Sequence, residues 1–458
     1  MNISAAIEAL RPHFGERLSV ANAVRDHHGH DMSRQPSRLP DAVVFAESEA
    51  EVQRVVATCF EHGVPVTPFA AGSSMEGHTI PLKGGISLDL TRMNRIVAIN
   101  GEDFDAVVEA GVTRKQFNAH LRDMGLFFPI DPGADATLGG MASTRASGTT
   151  AVRYGTMREN VLALRVVTPT GKTISTGRRV KKASNGYDLT KLFVGAEGTL
   201  GVITEVTVRL QPVPEMIASA VCSFASIRGA VEAVVTTMQS GIPVARIEFL
   251  DEVAVDAANA HANLGLNRAP TLFLEFHGSP RWVEEQSETV AAITAEFGGS
   301  DFAWSTLPEE RERLWKARHE TIYANQSLRP GCKTFTTDVC VPISRLADAV
   351  VAARADIDAS FLTAKIIGHV GDGNFHVGYL IKPEIAEELA EAERLADRLY
   401  ARAIEMGGTF SGEHGIGISK LPFLRQEHGD DVVDMMKALK SALDPAGIMN
   451  PGKLGQAG

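Results

Sequence analysis

Two short segments hold residue types from which a metal-and-base site could be built: GHVGDGNFH (368–376) and SGEHGIG (411–417). Imidazole either ligates a divalent ion or takes a proton near neutral pH. Between His369 and His376 runs Gly371-Asp372-Gly373-Asn374, a strong hairpin-turn sequence. A hairpin centred on Asp372-Gly373 sets the two histidines directly opposite each other, with Cβ atoms about 4.5–5.5 Å apart. Two imidazoles so placed can share one ion. Glu413 and His414 are adjacent and would face opposite ways in a regular strand, but Gly412, Gly415 and Gly417 permit an irregular loop. The expectation is a site ligated by His369, His376 and Glu413, with positions left open for catalysis and His414 beside them as base. Nitrogen and oxygen ligands suit zinc, manganese or iron(II).

The 42 glycines raise nucleotide binding next. No G-x-G-x-x-G occurs, and Gly171-Lys172-Thr173 lacks the P-loop glycine because Val166 holds its place. Three other small-residue segments lie in the first half. The first, 68–79, offers Pro68, Ala70, Ala71, Gly72, Ser73, Ser74, Gly77 and His78. The second, 131–156, offers Pro132, Gly133, Leu138, Gly139, Gly140, Ala142, Ser143, Ser147, Gly148, Tyr154 and Gly155. The third, 195–206, offers Glu197, Gly198, Gly201 and Ile203. Small residues let successive backbone N–H groups approach a pyrophosphate.

Positioning these segments requires a scaffold, and hydrophobic periodicity predicts one. Residues 43–69 read strand–helix–strand, with Ser48 and Glu51 as a capping box. Strands follow at 85–90, 95–100, 106–111, 162–169 and 201–210, and a helix at 113–125 stops at Gly125. Pro212 and Pro214 break the pattern. Beyond them helices at 226–241, 281–299 and 383–408 alternate with strands at 245–250 and 271–278, an α+β texture. The expected domains are 1–214 (core about 38–214), 215–410, and a C-terminal segment 411–458 with a closing helix. HHGHD (27–31) has no spaced partner and reads as an exposed loop.

Bulk composition excludes several classes. A net charge of −11 disfavours nucleic acid. Four cysteines without a C-x-x-C disfavour an iron–sulfur cluster or a thiolate zinc site. No apolar run is long enough to span a membrane. The first 19 residues read as an amphipathic helix, not a signal peptide, so the expectation is a cytoplasmic protein, at most peripheral at the inner membrane.

The three glycine-rich segments resemble the FAD-binding domain of the PCMH-type, or vanillyl-alcohol-oxidase-type, flavoproteins, and the likeness covers nearly the whole chain. The stretch 131–171 is similar to D-lactate dehydrogenases of the cytochrome-linked kind. The resemblance implies a PCMH-type FAD domain, an α+β substrate (cap) domain and a C-terminal helical segment returning to the FAD domain. It places pyrophosphate on 68–79, the ribityl chain and isoalloxazine along 132–148, and the adenine side on 195–203, with Asn450 in the closing NPGK segment also at FAD. Ser73-Ser74 follow the loop glycine where some members carry a flavin-linking histidine, so the FAD is expected to be non-covalent. GHxGDGNxH and GEHGIG match the metal and base motifs of the D-2-hydroxy-acid dehydrogenases, giving His369, His376 and Glu413 as ligands and His414 as base.

The implied activity is oxidation of a D-2-hydroxy acid, with a hydride to FAD and electrons to a cytochrome, quinone or electron-transfer flavoprotein. Arg318 and Lys333 are the implied carboxylate partners, because 2-hydroxyglutarate enzymes use an Arg and a Lys at this spacing. Those enzymes also use a Thr and an Asn where this chain has Ile322 and Gly378, which favours a monocarboxylate such as lactate over 2-hydroxyglutarate. A non-redox transferase of the alkyl-dihydroxyacetonephosphate synthase type is the reading from another class. A homodimer is left open.

Overall fold

The structure, a computed structural model, describes residues 1–262, 265–320 and 328–454. The chain gathers into two compact units. One comprises Met1–Ser147, Gly155–Val213 and Glu413–Gly458; the other comprises Gly148–Tyr154 and Pro214–Gly412.

In the first unit, strand Ala42–Phe45, helix Glu49–His62 and strand Val66–Phe69 follow as the periodicity predicts. The Ser48 hydroxyl accepts from the Glu51 N–H, and Gly63 ends the helix in the left-handed region. Glu51 does not complete the capping box; its carboxylate takes Arg17 and the Glu47 N–H instead. Both strands run parallel to Ile86–Asp89. Their apolar side chains bury against Ala6, Leu10, Val52, Val55, Val56 and Cys59 of two helices, each large side chain contributing about 1.5–3 kcal/mol. The second sheet is antiparallel, in the order Ile96–Asn100, Asp105–Glu109, Val202–Arg209, Val161–Val167, Thr173–Ser175. The tail returns after helix Leu424–Leu443, where Met449 bridges Val66 and the Asn450 N–H donates to the Val66 carbonyl.

HHGHD is not an exposed loop. His28 is buried, its ring held between the Val24 carbonyl and the Asp89 carboxylate at 2.8 Å each. A buried carboxylate at a strand end needs a partner, and His28 supplies it.

The second unit is built on one antiparallel sheet in the order Gly299–Ser305, Met216–Phe224, Thr271–Gly278, Arg246–Leu250, Ala364–Gly368, Asn374–Ile381, Lys333–Thr336. Helices Ile227–Gln239, Pro280–Glu296 and Leu346–Asp358 pack on it. Glu252–Ala262 and Pro308–Glu320 close a separate core with Leu250, Phe273 and Ile367, through Ala254, Val255, Ala258 and Trp315. Strand residues alternate between faces, so the face that carries Leu250, Phe273 and Ile367 also carries the polar groups described next.

Candidate functional site

His369 and His376 lie at the bend between Ala364–Gly368 and Asn374–Ile381. The expected register does not form. Residues 370–372 wind into one 3-10 turn and Gly373 follows at φ 79, so the strands are joined by 369–373 and not by a two-residue turn. Ile367 stands opposite His376, and Lys365 opposite Gly378. The pairing has slipped by two residues. A slip of one would have turned every side chain over, whereas a slip of two keeps each on its face. The two imidazoles therefore still meet, with centroids 5.5 Å apart and planes at 82°.

Each ring is oriented from behind. His369 Nδ1 is 2.7 Å from the buried carboxylate of Glu248. His376 Nδ1 is 3.1 Å from the Thr337 carbonyl, with Asp338 3.7 Å away. Fixing Nδ1 on a carboxylate or carbonyl presents Nε2, which is how metal-ligating imidazoles are held. Asp338 in turn accepts from Asn374 Nδ2 at 2.8 Å and Ser411 Oγ at 3.3 Å. A Cβ at Gly412 would stand 2.3 Å from Asn374 Nδ2. The chain thus reaches Gly412 pressed against the hairpin, and Glu413 is its next residue.

Arg318, on helix Pro308–Glu320, is buried on the same face and donates from Nη2 to Glu248 at 2.5 Å. One carboxylate therefore binds both Arg318 and His369. Lys333 is not brought to them. It is exposed and stands opposite Ile381, on the sheet face turned away from His376. Period-two alternation gives the His376 face Thr334 and Thr336 instead. The lysine on that face is Lys365, which motif reading missed because a lone Lys in AKIIG carries no signal until the hairpin register is known. Burial, with Arg318 nearby, pushes its amine down to about 7. Ile322 lies outside the described residues. Farther along the face, Tyr154 Oη contacts His277 Nδ1 at 2.7 Å, and His277 Nε2 contacts Glu275 at 2.8 Å.

In the first unit, the loop after strand Val66–Phe69 has the character a pyrophosphate needs. Among the described residues, none of the backbone N–H groups from Ala71 to Thr79 donates to a protein acceptor. The loop is clamped from outside. Lys453 Nζ, buried, donates to the His78 and Ile80 carbonyls and to Asn450 Oδ1, at 2.5–2.7 Å. Asn450 Nδ2 donates to the carbonyls of His78 and Glu197. Asn450 thus spends its amide on the loop. Lys453 carries no recognisable motif beyond NPGK and was missed.

The expected cofactor glycines divide. A Cβ at Gly139 would meet Ala110 at 2.5 Å, and one at Gly201 would meet Val166 at 2.8 Å, so these two serve strand packing. Gly133 faces open space, and Gly140 meets nothing nearer than Thr137 Oγ1 at 3.1 Å. Gly148 and Tyr154 fall in the second unit.

Glu413 and His414 lead into a loop pinned by Glu197, which accepts from the N–H groups of Ile416 and Gly417 at 2.7 and 3.0 Å. The Glu197 oxygen that accepts from Ile416 is also 3.3 Å from His78 Nε2. Burial opposes charge on Glu197, but His78 and the two N–H donors hold its carboxyl below the usual range. His414 Nδ1 is 3.6 Å from Glu76, whose carboxylate is also 3.2 Å from the buried Lys420. Burial works against Glu76 ionising, and Lys420 and His414 outweigh it.

A flavoprotein scaffold is what these features define, and comparison agrees. Residues 213–454 match the model of the FAD-linked oxidases, C-terminal domain, and residues 40–177 that of an FAD-binding domain. The chain is 52% identical to the "Probable D-lactate dehydrogenase, mitochondrial" of Danio rerio, over 96% of its own length and 89% of the relative's. It is 45% identical to "D-lactate dehydrogenase [cytochrome], mitochondrial" of Arabidopsis thaliana, over 91% and 73%. In fold it is similar to p-cresol methylhydroxylase with substrate bound, at TM-score 0.82 and 20% identity over 99% and 96%. This chain belongs to the FAD-linked oxidase family; it is an FAD-dependent oxidoreductase of PCMH-type fold. The expectation of a cytoplasmic protein does not stand, because both relatives are named mitochondrial. Among the described residues no helix is long and apolar enough to cross a membrane.

Proposed function

We propose that this chain oxidises D-lactate, or a closely related D-2-hydroxy acid, to the 2-oxo acid and passes the electrons to a cytochrome. The observation that carries the reading is the imidazole pair of His369 and His376, each buttressed at Nδ1, on one sheet face with the Glu248–Arg318 pair. The names of the relatives at 52% and 45% identity support the substrate and the acceptor.

His369, His376 and Glu413 would hold a divalent ion, which would supply Lewis-acid activation of the substrate hydroxyl. The loop 71–79 would take the FAD pyrophosphate on its N–H groups, with Gly133 and Gly140 leaving room beside the cofactor. Bound there, FAD would supply the hydride-accepting redox chemistry. The FAD would be held without a covalent bond, since Ser73-Ser74 follow the loop glycine where some members carry a flavin-linking histidine. His414 accepts the hydroxyl proton, and Glu76 orients its ring and stabilises the imidazolium that forms. Arg318 binds the substrate carboxylate, and Glu248 fixes its guanidinium.

The test is anaerobic mixing of the purified, metal-loaded flavoprotein with D-lactate and L-lactate. Bleaching of the flavin band by the D isomer alone is expected. No bleaching by any D-2-hydroxy acid would overturn the reading.

A further inference from the structure

Glu197 stands in the left-handed region at φ 54, in a turn whose glycines Gly195 and Gly198 hold φ 89 and 69. A third glycine would take that conformation freely, whereas a residue with a Cβ is strained there, and such an outlier points to what its side chain does. The residue is also buried, at 5% exposed, and a buried carboxylate is costly unless donors meet it. Its donors come from distant parts of the chain. The Ile416 and Gly417 N–H groups donate to Oε1 and Oε2 at 2.7 and 3.0 Å, and His78 Nε2 lies 3.3 Å from Oε1. The backbone of Glu197 is tied as well. Its N–H donates to the Ser143 carbonyl at 2.8 Å, and its carbonyl accepts from Asn450 Nδ2 at 2.8 Å. One residue therefore joins the 131–156 segment, the 68–79 loop, the 413–417 loop and the closing tail.

A second joint lies beside it. The Glu76 carbonyl accepts from the Ile418 N–H at 2.7 Å. A Cβ at Gly415 would stand 2.7 Å from His78 Nε2 and 2.8 Å from Glu197 Oε1. The two loops thus press together over 76–78 and 415–418. Among the described residues, the N–H groups from Ala71 to Thr79 donate to no protein acceptor. The order of that loop then depends on what those donors bind, and the pyrophosphate of FAD is the anion proposed for them. What orders one loop tightens the other, because coupling between two sites acts in both directions.

We propose that Glu197 is a positioning residue that couples cofactor binding to the catalytic loop. With FAD on the 71–79 loop, its carboxylate holds Ile416 and Gly417 and so sets Glu413 and His414 in place; without FAD, that hold loosens. The roles of Glu413 and His414 rest on the proposed function, whereas the coupling does not. A base loop that is firm only beside bound FAD keeps the site from forming before its redox cofactor is present.

Hydrogen exchange of the full chain, FAD-loaded and FAD-stripped, tests this in wild type, E197Q and E197D. In wild type, FAD should slow exchange at the Ile416 and Gly417 amides about 10–100-fold, the range of one charge-assisted hydrogen bond, while the amides of strand Val202–Arg209 change little. E197Q loses the charge and one acceptor oxygen, so FAD should leave the two amides exchanging nearly as in the stripped chain. E197D keeps a carboxylate one methylene short and should restore part of the slowing. FAD release on dilution, followed by flavin fluorescence, should quicken in E197Q by a similar factor, because the coupling is reciprocal; a merely local tether of 413–417 would leave it unchanged. Should E197Q retain no FAD, E197D carries the test, with slowing short of wild type expected. Equal slowing at 416–417 and at 202–209 in wild type, no slowing at either, or full slowing in a FAD-loaded variant would overturn the inference. A wild-type chain that shows the coupling but is reduced by no D-2-hydroxy acid would overturn the proposed function and leave the inference standing.

Discussion

His376 stands across the hairpin from Ile367, and the His369 ring reaches it edge-on from the bend, 5.5 Å between centroids. The pair depends on Glu248, which lies on the neighbouring strand Arg246–Leu250 and holds His369 Nδ1 at 2.7 Å. Replacing Glu248 by Gln should weaken divalent-metal affinity about 10–100-fold, as loss of an outer-shell partner does. Metal analysis after competition with a graded chelator measures it. Affinity equal to wild type would remove Glu248 from that role.

Gly417 sits at φ 52, and a Cβ there would stand 2.1 Å from the Glu76 carbonyl. G417A should push the loop that carries Glu413 and His414 away from Glu76, which belongs to the 71–79 loop, so both loops are strained. Flavin reduction is expected to slow at least about tenfold, since misplacement of about 1 Å can cost a hundredfold, and FAD is expected to be held less tightly. Absorbance of the purified variant and stopped-flow reduction read the two quantities separately.

Lys453 gives three hydrogen bonds at a buried position. K453M removes a charge-assisted donor from the His78 and Ile80 carbonyls and from Asn450 Oδ1, at about 1.5–3 kcal/mol for each bond. A lower Tm and faster FAD release on dilution are expected. A variant that keeps its FAD as tightly as wild type would show that the clamp does not shape the loop.

Glu275 carries the clearest pH signature. Burial alone would raise its carboxyl, but Arg246 and His277 hold it down to about 2. A carboxyl depressed on folding stabilises the fold fully above its ordinary value near 4.5 and loses that contribution as pH falls through about 2. Up to about 3 kcal/mol is at stake. Chemical denaturation at stepped pH should show wild type losing more stability than E275Q between pH 4.5 and 2. Parallel curves would refute it.

The division between what was legible and what was not follows the range of the forces. Strand–helix alternation, the Ser48 cap, the Gly125 stop and the glycine-rich loop after Val66–Phe69 depend on neighbours within a few residues, so the sequence carries them directly. The motif histidines and the adjacent Glu413 and His414 were visible for the same reason. Tertiary structure decided the rest. The hairpin slipped by two because 370–372 closed a 3-10 turn, followed by Gly373 where a Cβ would meet the Val341 carbonyl at 2.1 Å. That slip put Lys365 over Gly378, while the pairing of strand Lys333–Thr336 turned Lys333 to the other face. Glu248, Glu76 and Lys453 lie 121, 338 and 375 residues from His369, His414 and His78. No local pattern marks such partners, because a buried charge is recognised only by what the fold places beside it.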